Sequence, residues 1–122
     1  MTPGLLERTP TLALAVAEVL EETATRIDKE GFGQKLFWNP GTGQYCTRGM
    51  YTQVVLDRYR GHNTRVDGVD LWRSVIDGCD MVLTDALGRG VAAWNDEPGR
   101  TKTEVVEVLN NTAAGIRVAI AA

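Results

Sequence analysis

The sequence contains one histidine and two cysteines, so few side chains are available for nucleophilic chemistry. A Cys46 thiolate with His62 as its base would suit an acyl or thiol transfer, with amides near Arg48 and Gly49 holding the developing oxyanion. The spacing of Cys46 and His62 does not point to such a pair, and a thiol on the buried side of a hairpin is the commoner arrangement. We therefore predict no catalytic residue and retain Cys46 and His62 as the enzymatic alternative.

Metal and phosphate sites are also not indicated. A metal would need His62 to recruit carboxylates such as Asp57 and Asp67, and neither spacing matches a zinc or calcium loop. The glycines of residues 41–43 and 88–90 lack the other residues of a phosphate-binding loop and are interpreted as turns. The sequence predicts no metal and no cofactor.

Arginines are concentrated near the middle of the chain. Residues 48–73 contain five arginines and three aspartates, although the net charge of the chain is −3. Tyr59 lies between two arginines, an arrangement found on nucleic-acid-binding surfaces. The acidic chain and the lack of a recognisable DNA-binding motif favour a modest site for an anion or an acidic partner, with weak nucleic-acid binding through the 58–65 loop as an alternative. The candidate partner-binding residues here are Arg58, Tyr59, Arg60 and Arg65.

The most distinctive local motif runs from Trp94 to Thr101. As a recognition turn, it would use Trp94 as an aromatic anchor and Asp96 and Arg100 for charged contacts, so these three residues form a second candidate patch. As a structural turn, it would bury Trp94, bend the chain at Pro98-Gly99 and cap a helix with Thr101. Because each residue has an ordinary role in entering a helix, the structural interpretation is favoured.

This segment resembles the C-terminal signature of a small domain family of unknown function from actinobacteria and their phages. The family pattern W-N-D-x-P-G-R-T-x-x-E-V is complete from Trp94 to Val105. Tyr45-Cys46-Thr47-Arg48-Gly49 is similar to the family's aromatic-Cys-x-x-Gly element, with Met50 where a small residue is more usual. The resemblance implies a phage or actinobacterial origin, and it implies no activity because none is assigned to the family.

Hydrophobic periodicity predicts four amphipathic helices around one core. Helix starts are indicated by Thr9-Pro10, by Asp70 as an N-cap, and by Thr101 with Glu104 at capping-box spacing. Gly31, Gly33 and Gly88 indicate helix ends. The four predicted helices are residues 10–30, 49–59, 71–87 and one that follows Thr101.

A β-hairpin is predicted between the first two helices. Lys35–Trp38 and Gln44–Thr47 are short aromatic-containing runs on either side of the turn formers Asn39–Gly43. An isolated hairpin is marginal in water, so Phe37, Trp38 or Tyr45 must pack on the helices. The fold class is therefore mostly α, or α+β if the hairpin is counted, with residues 60–70 forming an exposed loop.

These elements suit a single domain over residues 1–122, with residues 1–9 as a flexible N-terminal tail. The sequence shows no secretory signal or membrane span, so we expect a cytoplasmic protein without a membrane partner. We expect a small non-catalytic interaction or regulatory protein, phage-encoded or phage-related, that binds a host or cellular protein. Alanines around Ile116 and Ile120 on the last helix also predict a homodimer.

Overall fold

The computed structural model describes residues 10–122, so the predicted tail of residues 1–9 lies outside the described residues. The described chain forms five helices and two short antiparallel hairpins. The helices are α1 (Pro10–Glu30), α2 (Thr47–Tyr59), α3 (Leu71–Leu87), α4 (Val91–Asn95) and α5 (Lys102–Ala121). The strands are β1 (Trp38–Asn39), β2 (Gln44–Tyr45), β3 (Arg65–Val66) and β4 (Val69–Asp70).

Helices α1 and α5 pack antiparallel. Lys102 at the start of α5 donates to the carbonyl oxygen of Asp28 at 2.9 Å, near the end of α1. Arg117, near the other end of α5, contacts both carboxylate oxygens of Glu21 at 2.7 and 2.8 Å. Between the Lys102 and Arg117 contacts the two helices bury aliphatic side chains. Helices α2 and α3 contact the remainder of α1. Buried members of this core are Leu12, Val16, Leu20, Ile27, Tyr51, Val54, Val75, Leu83, Val105 and Leu109.

The four predicted helices and the hairpin between the first two are confirmed. Gly31 has a φ of 82° and its N–H donates to Ile27 O at 2.7 Å, which ends α1. Gly88 adopts the left-handed conformation that ends α3. Thr101 and Glu104 make both hydrogen bonds of a capping box at the start of α5. These boundaries follow from local backbone requirements, so the sequence alone could locate them.

Helix α2 begins two residues earlier than predicted. Cys46 occupies the N-cap position, where its Sγ accepts the backbone N–H of Gly49 at 3.2 Å. Serine, threonine, aspartate and asparagine are the usual caps, so the cysteine gave no helix-start signal. Thr47 therefore belongs to the helix and not to the second strand of the hairpin.

The segment predicted as one long exposed loop contains a second hairpin, which corrects that expectation. Val66 pairs with Val69 across a two-residue turn of Asp67 and Gly68, whose φ angles are 51° and 78°. Positive φ at both positions is the geometry of a type I′ turn, for which Asp-Gly is a preferred sequence. The N-cap position of Asp70 is confirmed, but its side chain makes no capping hydrogen bond and lies 3.6 Å from Arg65.

Helix α4 was not predicted, because it has only five residues. Its sequence, Val91–Asn95, is too short to show helical periodicity. Val91, Trp94 and Asn95 are nonetheless buried, so α4 packs its inner face on α2 and α3.

Gly49 allows the first hairpin to contact the start of α2. A Cβ atom at this position would lie 2.2 Å from the carbonyl oxygen of Phe37, which is backbone and cannot rotate away. We predict that Gly49→Ala lowers the free energy of unfolding by about 1 to 3 kcal/mol, as expected for overpacking. In urea denaturation, the matched control Gly115→Ala, where a Cβ meets nothing within 4 Å, should raise it by about 0.5 to 1 kcal/mol. Equal effects of the two substitutions would contradict this close approach.

Candidate functional site

The side chain of Asn95 is fully buried and makes four hydrogen bonds that join separate parts of the chain. Its Oδ1 accepts the N–H of Thr47 at 2.9 Å and the Thr47 hydroxyl at 2.6 Å. Its Nδ2 donates to the carbonyl oxygen of Gly33 at 2.9 Å and to Asp96 Oδ1 at 3.0 Å. We call these four residues, Gly33, Thr47, Asn95 and Asp96, the Asn95 network. It connects the α1–β1 loop, the start of α2 and the end of α4.

Further bonds from the Asn95 network fix the chain that leads into the first hairpin. Lys35 has a φ of 71°, and its N–H donates to Asp96 Oδ1 at 2.7 Å. Gln34 Nε2 donates to the carbonyl oxygens of Asn95 and Glu97, each at 3.0 Å. The left-handed backbone at Lys35 is costly for a non-glycine residue, and these bonds offset its cost.

Trp94 and Arg100 complete the motif through a cation–π contact. The Trp94 ring is buried, and the Arg100 guanidinium carbon lies 3.9 Å from the ring centroid. Arg100 also donates to the Trp94 carbonyl oxygen at 3.0 Å and to Glu104 at 2.8 Å. Internal contacts therefore engage Trp94, Asp96 and Arg100, the second candidate patch, as the structural interpretation requires.

The first hairpin exposes three consecutive apolar residues, Leu36, Phe37 and Trp38, which we call the aromatic surface. Their relative exposures are 49%, 49% and 48%. Of the three hairpin aromatics expected to pack on helices, Tyr45 does so: it is half-buried against the core. The Phe37 and Trp38 rings each lie 6.4 Å from the Tyr45 ring, measured between centroids. Phe37 and Trp38 were expected as candidates for packing on the helices and not as a binding surface, although a run of apolar side chains beside a turn is visible in the sequence.

A chain of polar contacts runs along α2 from the hairpin. The Tyr45 hydroxyl donates to Gln53 at 3.4 Å, and Gln53 donates to Asp57 Oδ1 at 2.8 Å. Arg26 donates to Asp57 Oδ2 at 2.8 Å, and this bond, opposed by partial desolvation, lowers the pKa of the Asp57 carboxyl. The contacts hold Tyr45 and the exposed face of α2 in fixed positions.

The candidate residues at the other end of α2 differ in their contacts. Arg58 donates to Glu22 at 2.9 Å and to Glu18 at 3.3 Å, so its guanidinium bridges to α1. Arg65 lies 3.6 Å from Asp70. Arg60, by contrast, is exposed and makes no salt bridge or side-chain hydrogen bond within residues 10–122.

An open groove of about 270 Å³ lies at this end of α2. The rings of Tyr59 and His62 meet edge-on there, with centroids 6.0 Å apart. Burial raises the pKa of the Tyr59 hydroxyl. We call this feature the loop groove, and its lining residues are Leu56, Tyr59, Arg60, Gly61, His62, Asn63, Asp70 and Trp72.

The structure does not bring Cys46 and His62 together. Cys46 is the N-cap of α2, and His62 follows the C-terminus of the same helix. Helix α2 has 13 residues, so its ends are about 20 Å apart at 1.5 Å per residue. The thiol is also buried and accepts the Gly49 amide. The arrangement required for the enzymatic alternative is therefore absent from the described chain.

Residues 10–122 bear on two other classes of function. They contain no group of three or more histidine, cysteine, aspartate or glutamate side chains able to hold a metal ion. None of the helices in this range combines the length and apolar character needed to cross a bilayer.

The buried hydroxyl of Tyr51 contacts Asp80, linking α2 to α3. Arg48 donates to both oxygens of the same carboxylate at 3.2 and 3.3 Å. Burial, followed by the contact with Asp80, raises the pKa of Tyr51 far above its ordinary value. The contacts of this cluster brace the two helices.

The chain is similar to one family of known sequences. The model of a family of unknown function (DUF6197) matches residues 11–115. The chain therefore belongs to this family. No curated protein and no solved structure matches it. Because the family has no known function, its activity is left to be inferred from the surfaces of the chain.

We predict that Asn95→Ala strongly destabilises the protein. The substitution leaves the buried N–H and hydroxyl of Thr47 and the carbonyl oxygen of Gly33 without their partner, at about 1 to 3 kcal/mol for each unsatisfied group. Urea denaturation should show a loss of several kcal/mol. Asn111→Ala, at an exposed position of α5, should change stability by less than about 0.5 kcal/mol. A similar small change at both positions would show that the network contributes little.

We also predict that Tyr51 makes stability depend on alkaline pH. The tyrosine pKa is about 10 in an unfolded chain, and it is higher in the fold. The folded state thus keeps the proton when the unfolded state loses it, so stability is retained below about pH 10 and falls above it. The difference in unfolding free energy between wild type and Tyr51→Phe should be constant up to about pH 9 and shrink above pH 10. A constant difference up to pH 11 would contradict the raised pKa.

Proposed function

We propose that this chain is a small non-catalytic protein that acts by binding another protein. The observation that carries the proposal is the aromatic surface, three consecutive apolar side chains each about half exposed. Single exposed apolar residues are normal, but a contiguous run on a soluble domain is unfavourable unless another surface covers it. Tryptophan is among the residues that contribute most to protein–protein binding.

The aromatic surface is held in one conformation before any partner arrives. The bonds from Asp96 and Gln34 fix its N-terminal side, and Cys46 donates its N–H to the Phe37 carbonyl oxygen at 3.1 Å. A surface that is ordered in advance loses less conformational entropy on binding. The partner that fits it is a protein with an apolar patch. The side chains of Leu36, Phe37 and Trp38 expose apolar surface, and their one polar group is the indole N–H, a hydrogen-bond donor.

The predicted loop residues supply a second part of the proposal. Arg60 and Arg65 are exposed near the loop groove, whereas Arg58 supports the fold through Glu18 and Glu22.

The Trp94–Val105 signature supports an origin in a phage or an actinobacterium. A binding role in the cytoplasm of such a cell agrees with the lack of a membrane-crossing helix in residues 10–122.

Self-association through α5 is retained as part of the proposal. Val118 is 71% exposed and Ile120 is 38% exposed, and both lie near the end of the helix beside small alanines. Alanines allow close approach of a second helix. Sedimentation as a plain monomer at micromolar concentration would remove the homodimer from the proposal.

The proposal is tested by comparing Phe37→Ser/Trp38→Ser with Met81→Ser. Met81 on α3 is 47% exposed, similar to the residues of the aromatic surface, so it controls for the loss of an exposed apolar group. Proteins captured from an actinobacterial lysate by wild type are identified, purified and titrated against the variants. We expect the double variant to weaken binding by about tenfold or more, with Met81→Ser close to wild type.

Two results would count against this function. Equal affinity of all three proteins for the captured partner would show that the aromatic surface is not the binding site. Turnover of a substrate that depends on Cys46, shown by its loss in Cys46→Ser while folding is unchanged, would establish the enzymatic alternative.

A further inference from the structure

We infer that the loop groove binds an acidic segment of a partner protein, with a carboxylate against Arg60 and an apolar side chain against Tyr59 and Trp72. The inference adds a second surface to the proposed protein-binding function and rests on that function for its biological meaning. Its evidence is separate, because the loop groove and the aromatic surface lie at opposite ends of α2.

Arg60 differs from most arginines of the described chain because it has no carboxylate partner. Within residues 10–122, two arginines, Arg60 and Arg73, make no salt bridge or side-chain hydrogen bond. Each of the others forms a salt bridge: Arg26, Arg48, Arg58, Arg65, Arg89, Arg100 and Arg117. Of the two exceptions, Arg60 lines the loop groove. Seven of the nine described arginines are therefore paired within the fold, and a guanidinium left without a carboxylate, such as that of Arg60, is available to an external anion.

The loop groove is lined by one arginine, Arg60, and one acidic residue, Asp70. Asp70 is its one acidic lining residue, and the Asp70 carboxylate lies 3.6 Å from Arg65. Arg60 contributes to lowering the pKa of Asp57, but the hydrogen bonds of that carboxylate go to Arg26 and Gln53. The charge of Arg60 is therefore not matched within the groove, and an incoming carboxylate would complement it.

The loop groove is small and partly apolar. Leu56, Tyr59 and Trp72 supply apolar surface beside Arg60, and all three are partly buried. A volume of about 270 Å³ is slightly below the range of about 300 to 1,000 Å³ usual for drug-sized ligands. The groove thus accommodates one or two side chains of a peptide. An apolar residue next to aspartate or glutamate satisfies both its aromatic wall and its cation.

Nucleic acid fits these features less well. Binding of a phosphate backbone relies on several simultaneous contacts from lysine and arginine. Within residues 10–122 the lysines and arginines without a salt bridge are Lys29, Lys35, Arg60 and Arg73, and of these only Arg60 lines the loop groove. The whole sequence also has a net charge of −3. The observations therefore favour a peptide carboxylate over a row of phosphates.

The test is titration of the full-length, ¹⁵N-labelled protein with synthetic peptides, followed by NMR. The probe is a blocked eight-residue peptide with one phenylalanine flanked by aspartate and glutamate. Its matched control has asparagine and glutamine at the acidic positions. We expect saturable shifts of the Trp72 indole and the His62 backbone signals with the acidic peptide, and binding that weakens as salt is raised.

Two arginine variants locate the contact. Arg60→Gln removes the charge that lines the loop groove, and a lost charge-assisted hydrogen bond should weaken binding by about tenfold or more. Arg73→Gln removes the charge of the other unpaired arginine, which does not line the groove, and should leave affinity within about threefold. Both side chains are exposed, and circular dichroism spectra like that of wild type would confirm folding.

The inference is overturned if the acidic and neutral peptides bind equally, if neither binds at millimolar concentration, or if Arg73→Gln matches the loss seen with Arg60→Gln. It is also overturned if a single-stranded oligonucleotide displaces the peptide and binds the groove more tightly. Because the peptides are synthetic, the result is independent of the captured partner. A groove that binds the acidic peptide while the aromatic surface captures nothing would uphold this inference and contradict the proposed role of the aromatic surface.

Discussion

The buried amide of Asn95 is the constraint on which the arrangement of this domain depends. Two of its partners, Gly33 and Thr47, are far away in sequence, and Asp96 is its neighbour. A buried polar group is stable only when its hydrogen bonds are made, so the three segments must meet in one register. That requirement places α4 beneath the first hairpin and the start of α2.

The signature from Trp94 to Val105 acquires a physical meaning from these contacts. Trp94 fills the core beneath Arg100, Asn95 joins the segments, and Asp96 holds the backbone of Lys35. Gly99 has a φ of 83°, and Thr101 begins α5 with its capping box. The motif is thus a folding element, which agrees with the structural interpretation reached from residue types alone.

The helix boundaries that depend on nearby residues could be predicted from the sequence. The ends of α1, α3 and α5 depend on glycines and caps that lie within a few residues of each boundary, and the core stripes repeat at helical spacing. The Asp67-Gly68 turn was equally local and could have been recognised between Val66 and Val69. The sulfur cap of α2 could not, because cysteine is not a usual capping residue.

The surfaces were harder to predict because they depend on contacts across the fold. Whether Arg58 is available or engaged is decided by Glu18 and Glu22 on another helix. Phe37 and Trp38 look like core residues in the sequence, but the path of the hairpin leaves them half exposed. Tyr59 and Trp72 line one groove only because the chain reverses between α2 and α3.

The length of α2 has a consequence for how this domain could evolve. A rigid rod about 20 Å long separates the apolar end of the molecule from its cationic end. No residue of the aromatic surface lines the loop groove, so under the proposed function selection can act on each surface separately. If both surfaces bind as proposed, a chain of this size would hold two different proteins at a set spacing, as a bridge between them.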